Sequence, residues 1–181
     1  MTLLQQFFIR SLTEWDIISA TVLCRRPLLY LQNIHNLSFG IGVGHLFGCS
    51  DVTLSAINQA ADLDAWKVEQ QALGALSISD LYKGGTRILG RLLAISPQNR
   101  TYAGAIADSF LFAAIIYVNV IMSGRSCLGR SNVGAYSGIQ EIQKPLDILL
   151  EKLKVLIPHI DGLKLVCWPI AIGKLTKVPI S

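Results

Sequence analysis

The segment from Gly48 to Trp66 constrains the fold of this chain more than any other, because it has the pattern of a capped amphipathic helix. Ser50 and Asp51 can each accept a hydrogen bond from a free N–H group of a first helical turn. Apolar residues then follow at helical spacing and predict one buried face: Leu54, Ile57 and Ala61. The polar residues between them are expected to face outward: Asn58, Asp62 and Asp64. Cys49 is placed to pack rather than to react.

Helical patterns continue on both sides of this segment. Residues 3 to 24 predict a helix whose apolar face comprises Phe7, Leu12, Trp15, Ile18 and Val22. Ser77 and Asp80 have the spacing of a capping box, and they open a helix that ends before Pro97. Its apolar stripe comprises Leu81, Ile88, Leu89 and Leu92.

The second half of the chain predicts two more helices. Residues 101 to 122 form the longest apolar element, and Pro145 suits the first turn of the next helix because its missing N–H would be unpaired there. Leucines and an isoleucine repeat from that point at helical spacing: Leu146, Leu149, Leu150, Leu153 and Ile157. Long alternating runs and hairpin turns are lacking. The predicted fold class is therefore all-α, a bundle of paired antiparallel helices.

Composition places the chain among well-packed globular proteins. Of 181 residues, 51% are hydrophobic and only 15% are charged, which excludes disorder as the main state. This length predicts one domain over residues 1–181. The net charge of +4 is mild and the basic residues are scattered, so no nucleic-acid patch and no specific DNA binding are expected. Four dispersed cysteines indicate a reducing compartment.

Residues 103 to 122 are also the one segment that could cross a membrane. The length suffices only if Asp108 is included, and a carboxylate is costly in hydrocarbon. Asp108, Asn119 and Thr101 fall on one narrow stripe of a helix, which favours the core helix of a bundle with one polar edge.

Residue types that serve in catalysis, cofactor binding and metal binding are present in the sequence, but their spacing does not match any known motif for these functions. His35, His45 and His159 lack metal-ligand spacing, and Gly40–Gly44 departs from the dinucleotide fingerprint. The residues of Lys83–Thr86 stand in the wrong order for a phosphate loop, and Cys127 has no nearby base. Trp15, Trp66 and Trp168 are expected to pack in the core or to anchor the packing of helices. No catalytic, cofactor-binding or metal-binding residue is predicted, no cofactor is expected, and the chain is not expected to be an enzyme.

Several short motifs resemble, in order, the fungal-specific transcription factor domain, which is the regulatory domain of fungal zinc-cluster transcription factors. The Gly48–Trp66 segment resembles the turn and helix of that family. Further resemblances occur in Trp15–Ala20, Arg25–Pro27, Leu81–Tyr82, Ala113–Tyr117, Ile157–Pro158 and Cys167–Ile170. Together they cover about residues 10–173.

The sequence also departs from the family. Ser50 stands in place of the usual proline, and Ala171–Gly173 replaces a longer run. The chain ends at Ser181 where the family continues, so we expect an incomplete C-terminus. The DNA-binding zinc cluster needs six paired cysteines, and this chain has four, all far apart.

The resemblance implies a nuclear regulatory domain that acts through other proteins, with or without a small-molecule effector, and the cytoplasm is the alternative location. Exposed apolar helix faces are expected, and with them self-association or a need for a partner protein. Two alternatives remain at this stage. One is a small membrane protein held by residues 103–122, and the other is a non-functional gene fragment.

Overall fold

The computed structural model describes residues 2–29, 48–97, 101–123, 139–158 and 165–175. Within these ranges it contains six helices and no strand: α1 (Leu3–Leu23), α2 (Asp51–Ala72), α3 (Ile78–Leu93), α4 (Tyr102–Met122), α5 (Ile139–Leu156) and α6 (Cys167–Leu175). The predicted all-α fold is confirmed. Predictions that concern His35, Gly40–Gly44, His45, Cys127 and His159 lie outside the described residues.

Four of these helices begin at a hydroxyl residue that accepts a backbone hydrogen bond. Thr2 caps α1 and forms a capping box with Gln5. Ser50 caps α2, where its Oγ accepts from the N–H of Thr53 at 3.1 Å. The predicted cap at Ser77 opens α3, and a fourth at Thr101 opens α4. Local sequence therefore sets where these helices begin.

The core is built around α4, which packs against α2, α3, α5 and α6. By length and composition alone α4 could cross a membrane, but 94% of its most apolar stretch is buried inside the bundle. Consecutive helices also pack on each other, α2 with α3, α3 with α4 and α4 with α5. This arrangement agrees with the prediction of a central helix in a bundle of paired helices.

Polar groups inside the bundle are bonded across helices. Lys152 Nζ of α5 lies 2.7 Å from Asp108 Oδ2 of α4, which supplies the predicted polar partner of that stripe. The hydroxyl of Tyr117 donates to Asp64 Oδ2 at 3.1 Å, and the fully buried Lys67 donates to the carbonyl of Ile121 at 2.9 Å. These bonds let charged groups lie in a core that would otherwise exclude them.

The prediction that α2 turns its polar residues outward is wrong for two of three positions. Asn58 and Asp64 are buried and Asp62 is half-buried. The physical reason is that α2 lies between α1, α3 and α4, so its polar side also meets protein. Asp64 is compatible with that burial because Tyr117 supplies a hydroxyl.

Pro145 lies inside α5 rather than in its first turn, so the predicted start of this helix is wrong. A proline removes one backbone hydrogen bond, but α5 packs along α4, and this tertiary contact sustains the helix through the defect. Leu146 and Leu149 are buried as expected, whereas Leu150 and Ile157 are exposed.

Two adjacent glycines allow α3 to approach its neighbours closely. A Cβ on Gly84 would lie 2.9 Å from Leu63 Cδ1, and one on Gly85 would collide with the side chain of Met122. The residues from Lys83 to Thr86 are therefore helical, and their glycines serve packing rather than phosphate binding.

Candidate interaction surfaces

The outer side of α1 is an exposed apolar stripe. It comprises Leu4, Phe7, Phe8, Leu12, Trp15 and Val22, and we call it the α1 outer face. Phe8 is 63% exposed and Trp15 is 59% exposed. Four of these residues belong to the face that the sequence predicts: Phe7, Leu12, Trp15 and Val22. The fifth predicted member, Ile18, is half-buried, and the expectation that Trp15 packs in the core is wrong. Contiguous exposed apolar surface of this kind is typical of a protein–protein contact.

The inner side of α1 is more polar than its outer side, which explains the orientation of the helix. Arg10 Nε lies 3.4 Å from Glu14 Oε1 in a buried pair one turn apart. The buried hydroxyl of Thr13 donates to the carbonyl of Ile9 at 2.9 Å. These local contacts satisfy part of the polar groups, although Glu14 Oε2 is buried without a hydrogen-bond partner. On the same side Ile17 and Ala20 enter the core.

Burial raises the pKa of Glu14 from 4.5 to about 7, although the adjacent Arg10 opposes the shift. The carboxylate of Asp51, at the start of α2, adds to the rise. Burial also raises the pKa of the nearby Cys49 thiol well above its usual value, and Glu14 and Asp51 add to this shift. Cys49 is therefore a packing residue with little thiolate, as its position before the cap predicts.

A cluster of hydrogen bonds fixes the chain where it leaves α1. The Asp16 carboxylate accepts from the N–H groups of Leu28 and Leu29 at 2.6 and 2.8 Å, and from Arg25 Nη2 at 2.7 Å. Partial burial alone would raise the pKa of Asp16, but these bonds together hold it below its usual value. Asp16 thus sets the direction of the exit from α1.

Two longer contacts hold α1 on the bundle. Arg26 forms a two-point ion pair with Glu69 of α2, at 3.2 and 2.8 Å. Trp168 of α6 donates its indole N–H to Thr21 Oγ1 at 2.8 Å. The same indole stacks on Phe110, with ring centroids 5.8 Å apart. These contacts fix which side of α1 faces the bundle, and they leave the α1 outer face exposed.

A second surface is a groove of about 430 Å³ between α2 and α3, which we call the α2–α3 groove. Leu63 and Trp66 of α2 line it from one side. From the other side α3 contributes Asp80, Lys83, Gly84 and Arg87. Trp66 is half-buried and packs on the core, so its predicted role as a packing residue is confirmed in part.

No cluster of metal ligands accompanies these surfaces in the part of the chain that the structure describes. Within those ranges no three His, Cys, Asp or Glu side chains are grouped closely enough to hold a metal ion. Cys24, Cys49 and Cys167 form no disulfide within these ranges.

Comparison with protein families supplies the context for these surfaces. Residues 3–173 match the model of the fungal-specific transcription factor domain. The chain belongs to this family. Membership confirms the resemblance drawn from the motifs between Trp15 and Ile170. No match was found among curated proteins or among solved structures.

The fungal-specific transcription factor domain is a regulatory domain rather than an enzyme family. A role like that of a transcription regulator therefore follows for this chain. The DNA-binding zinc cluster that accompanies such domains was not detected, and four cysteines are too few to build one.

The sequence predicts four of the six residues of the α1 outer face and, in general, exposed apolar helix faces, but it does not predict that this face is one of them. It missed the α2–α3 groove entirely. The available signal for the groove was the spacing of Lys83, Arg87 and Arg91, which places three cations on one side of a helix. That spacing escapes notice when charge is counted over the whole chain.

Proposed function

We propose that this chain is a transcription-regulatory domain that acts through contacts with other proteins, made by the α1 outer face. The family gives the regulatory role, and the exposed apolar stripe on α1 is the observation that supports the mechanism. Apolar side chains that are exposed together gain free energy when a partner covers them, by about 25 cal/mol per Å².

The nucleus is the proposed location, since regulators of this family act on genes. We further propose that the whole of residues 1–181 belongs to one regulatory domain. We also propose that residues 1–181, in which no zinc cluster was detected, bind no specific DNA sequence themselves and act through the proteins that they bind. The partner is either a second copy of the chain or a different nuclear protein, and the experiment below separates these cases.

The test is to fuse the chain to an unrelated DNA-binding domain and to measure a reporter gene. We expect the fusion to change reporter output, and Phe8→Asp to abolish most of that change, because a carboxylate on the α1 outer face cannot be buried in an apolar contact. In parallel, light scattering after gel filtration measures self-association of the purified chain with and without Phe8→Asp.

Ala103→Asp is the matched control. It adds the same charge at an exposed position in the first turn of α4, where an acidic residue is favourable. We expect it to behave like the parent in both measurements. If Phe8→Asp and Ala103→Asp have equal effects, the α1 outer face does not carry the function, and a fusion without any reporter effect would remove support for the regulatory role itself.

A further inference from the structure

The floor of the α2–α3 groove is apolar. Leu63 and Trp66 of α2 line it, and Gly84 of α3 faces Leu63 without a side chain of its own. Because a Cβ on Gly84 would lie 2.9 Å from Leu63 Cδ1, any larger residue would push against the floor. The two helices are thus close together at this point. The half-buried indole of Trp66 also lines the groove.

The rim of the groove on the α3 side is cationic. Lys83, Arg87 and Arg91 are exposed and follow each other at intervals of four residues, so they form a row about 12 Å long on one side of the helix. Lys83 is 76% exposed at its side chain. Asp80 stands at one end of the row, 3.7 Å from Lys83, but both side chains are largely exposed, so the pair is weak and the lining keeps an excess of positive charge from Lys83 and Arg87.

The rim on the α2 side carries no charge. Gln59, Leu63 and Trp66 follow at helical spacing along α2, and Arg91 Nη1 donates to Gln59 Oε1 at 3.0 Å across the two helices. This bond holds the guanidinium at the edge of the groove. On its other side α3 borders a second concave surface lined by Ser79, Tyr82, Lys83, Thr86 and Arg87, so Lys83 and Arg87 can be reached from both sides.

We propose that the α2–α3 groove binds an acidic amphipathic peptide segment of a partner protein. An apolar side chain of that segment would pack on Leu63 and Trp66, and its carboxylates would pair with Lys83 and Arg87. Charge complementarity selects this occupant, because one rim is cationic, the other is neutral and the floor is apolar. The inference rests on the proposed function, and it adds a second surface with a defined chemistry.

An acidic peptide explains more of the groove than a nucleic acid would. A phosphate backbone would use the cationic row but would leave the apolar floor uncovered. An acidic segment with leucine or phenylalanine side chains uses both parts. Binding of a nucleic acid at the same residues is therefore an outcome of the test that would overturn the proposal.

The test measures fluorescence anisotropy of a labelled synthetic peptide with Asp and Glu on one helical side and Leu and Phe on the other. We expect the full chain to bind it, and to bind two altered peptides about tenfold more weakly or worse. In one altered peptide Asn and Gln replace the acids, and in the other Ala replaces Leu and Phe. A labelled DNA duplex is titrated in the same buffer at physiological salt.

The protein variant for the same assay is Lys83→Glu with Arg87→Glu, which reverses the charge of the rim. Both residues are exposed, so the fold is expected to survive, and circular dichroism verifies this. Lys144→Glu with Lys154→Glu is the matched control, since it makes the same change of net charge at exposed positions of α5. We expect about a tenfold loss of peptide binding for the first pair and less than about twofold for the control.

Several results would overturn the proposal. These are no binding of the acidic peptide, equal binding of the neutral peptide, equal losses for the two charge-reversed pairs, or DNA bound more tightly than the peptide through Lys83 and Arg87. None of these results affects the reporter experiment with Phe8→Asp, which tests the α1 outer face. A fusion that acts on the reporter without any peptide binding would refute the groove and support the proposed function.

Discussion

Helices α1 and α4 are equally long, at 21 residues each, and both are rich in large apolar side chains, yet the bundle uses them in opposite ways. Almost every residue of α4 is buried, and its apolar groups form the centre of the core. In α1 the largest apolar side chains point away from the bundle, while a buried Arg10–Glu14 pair and two threonines point toward it.

The contrast shows that hydrophobicity alone does not decide which side of a helix is buried within its own chain. In α4 the one carboxylate, Asp108, meets Lys152, and the remaining surface is free to pack apolar groups on all sides. In α1 the side that packs is the one whose polar groups are bonded locally or to Trp168. Hydrogen bonds with defined partners orient a helix, and burial of apolar area then follows where neighbours exist.

The same kind of substitution in the two helices gives the sharpest test of this contrast, and its largest effect belongs to α4. Ile115 is 5% exposed, so Ile115→Asp places a carboxylate in the core. We expect a loss of about 5 kcal/mol in the free energy of unfolding, which is a large share of the stability of a typical domain. Urea unfolding measures it. Unchanged expression and melting of Ile115→Asp would show that α4 is not the core helix.

The ion pair between α4 and α5 supplies the next largest effect. Lys152→Met takes away the ammonium that lies 2.7 Å from the buried Asp108 carboxylate, and we expect a loss of about 4 kcal/mol. Adding Asp108→Asn to Lys152→Met removes the buried charge and should restore most of the stability. If the double mutant is no more stable than Lys152→Met, the unpaired charge of Asp108 is not the cause of the loss of stability.

In α1 the buried Glu14 predicts a dependence on pH. Its pKa is about 7 in the folded state against 4.5 in an exposed glutamate, so the folded state holds its proton more tightly than the unfolded state. The stabilisation from this proton is complete below about pH 4.5 and is lost as the pH rises through about 7. One pKa unit corresponds to about 1.4 kcal/mol, so the rise from 4.5 to about 7 sets about 3.5 kcal/mol as the upper bound of the change.

Glu14→Gln tests this dependence because glutamine cannot titrate. The difference in unfolding free energy between Glu14→Gln and the parent should grow from acid to neutral pH in favour of the variant, until it levels off above about pH 7. Asp16 and Glu69 have lowered pKa values and Asp62 a raised one, but both proteins contain all three groups, so their contributions cancel in this difference. A difference that stays constant from pH 5 to pH 8, within about 0.5 kcal/mol, would contradict burial of the carboxylate.

The smallest effect on stability is expected on the α1 outer face. Phe8→Asp changes an exposed residue and should alter the unfolding free energy by about 0.5 kcal/mol or less, when measured on the monomer at low concentration. Its effect should appear instead in self-association or reporter output. A large loss of stability in the monomer would show that α1 packs its apolar side inward, as α4 does.

The sequence predicts the helices of this fold well and their orientations less well. Caps at Ser50 and Ser77 and a break before Pro97 are local signals, so the bounds of α2 and α3 could be predicted closely. The helix start predicted from Pro145 was wrong because the packing of α5 on α4 outweighs the preference of proline for the first turn of a helix. The orientation of α1 could not be predicted, since it depends on Trp168, which lies 147 residues away from Thr21.

The α1 outer face and the α2–α3 groove also differ in how far the sequence predicts them. Four of the six residues of the α1 outer face are visible as a stripe in the sequence, and their exposure needed a structure. The α2–α3 groove arises from side chains of two helices, and its shape depends on contacts such as that between Gly84 and Leu63. A site made between elements leaves no continuous motif, so only the cationic row on α3 could be noticed beforehand.

The hydrogen bond from Trp168 to Thr21 also affects the order in which contacts form while the chain is being synthesised. A ribosome makes the chain from its N-terminus, so Thr21 emerges long before its partner in α6 exists. During that interval α1 can pack on α2, which is made next, but it lacks its contact with α6, and contacts of such large sequence separation are slow to form even afterwards. The bond between α1 and α6 therefore forms late in biosynthesis.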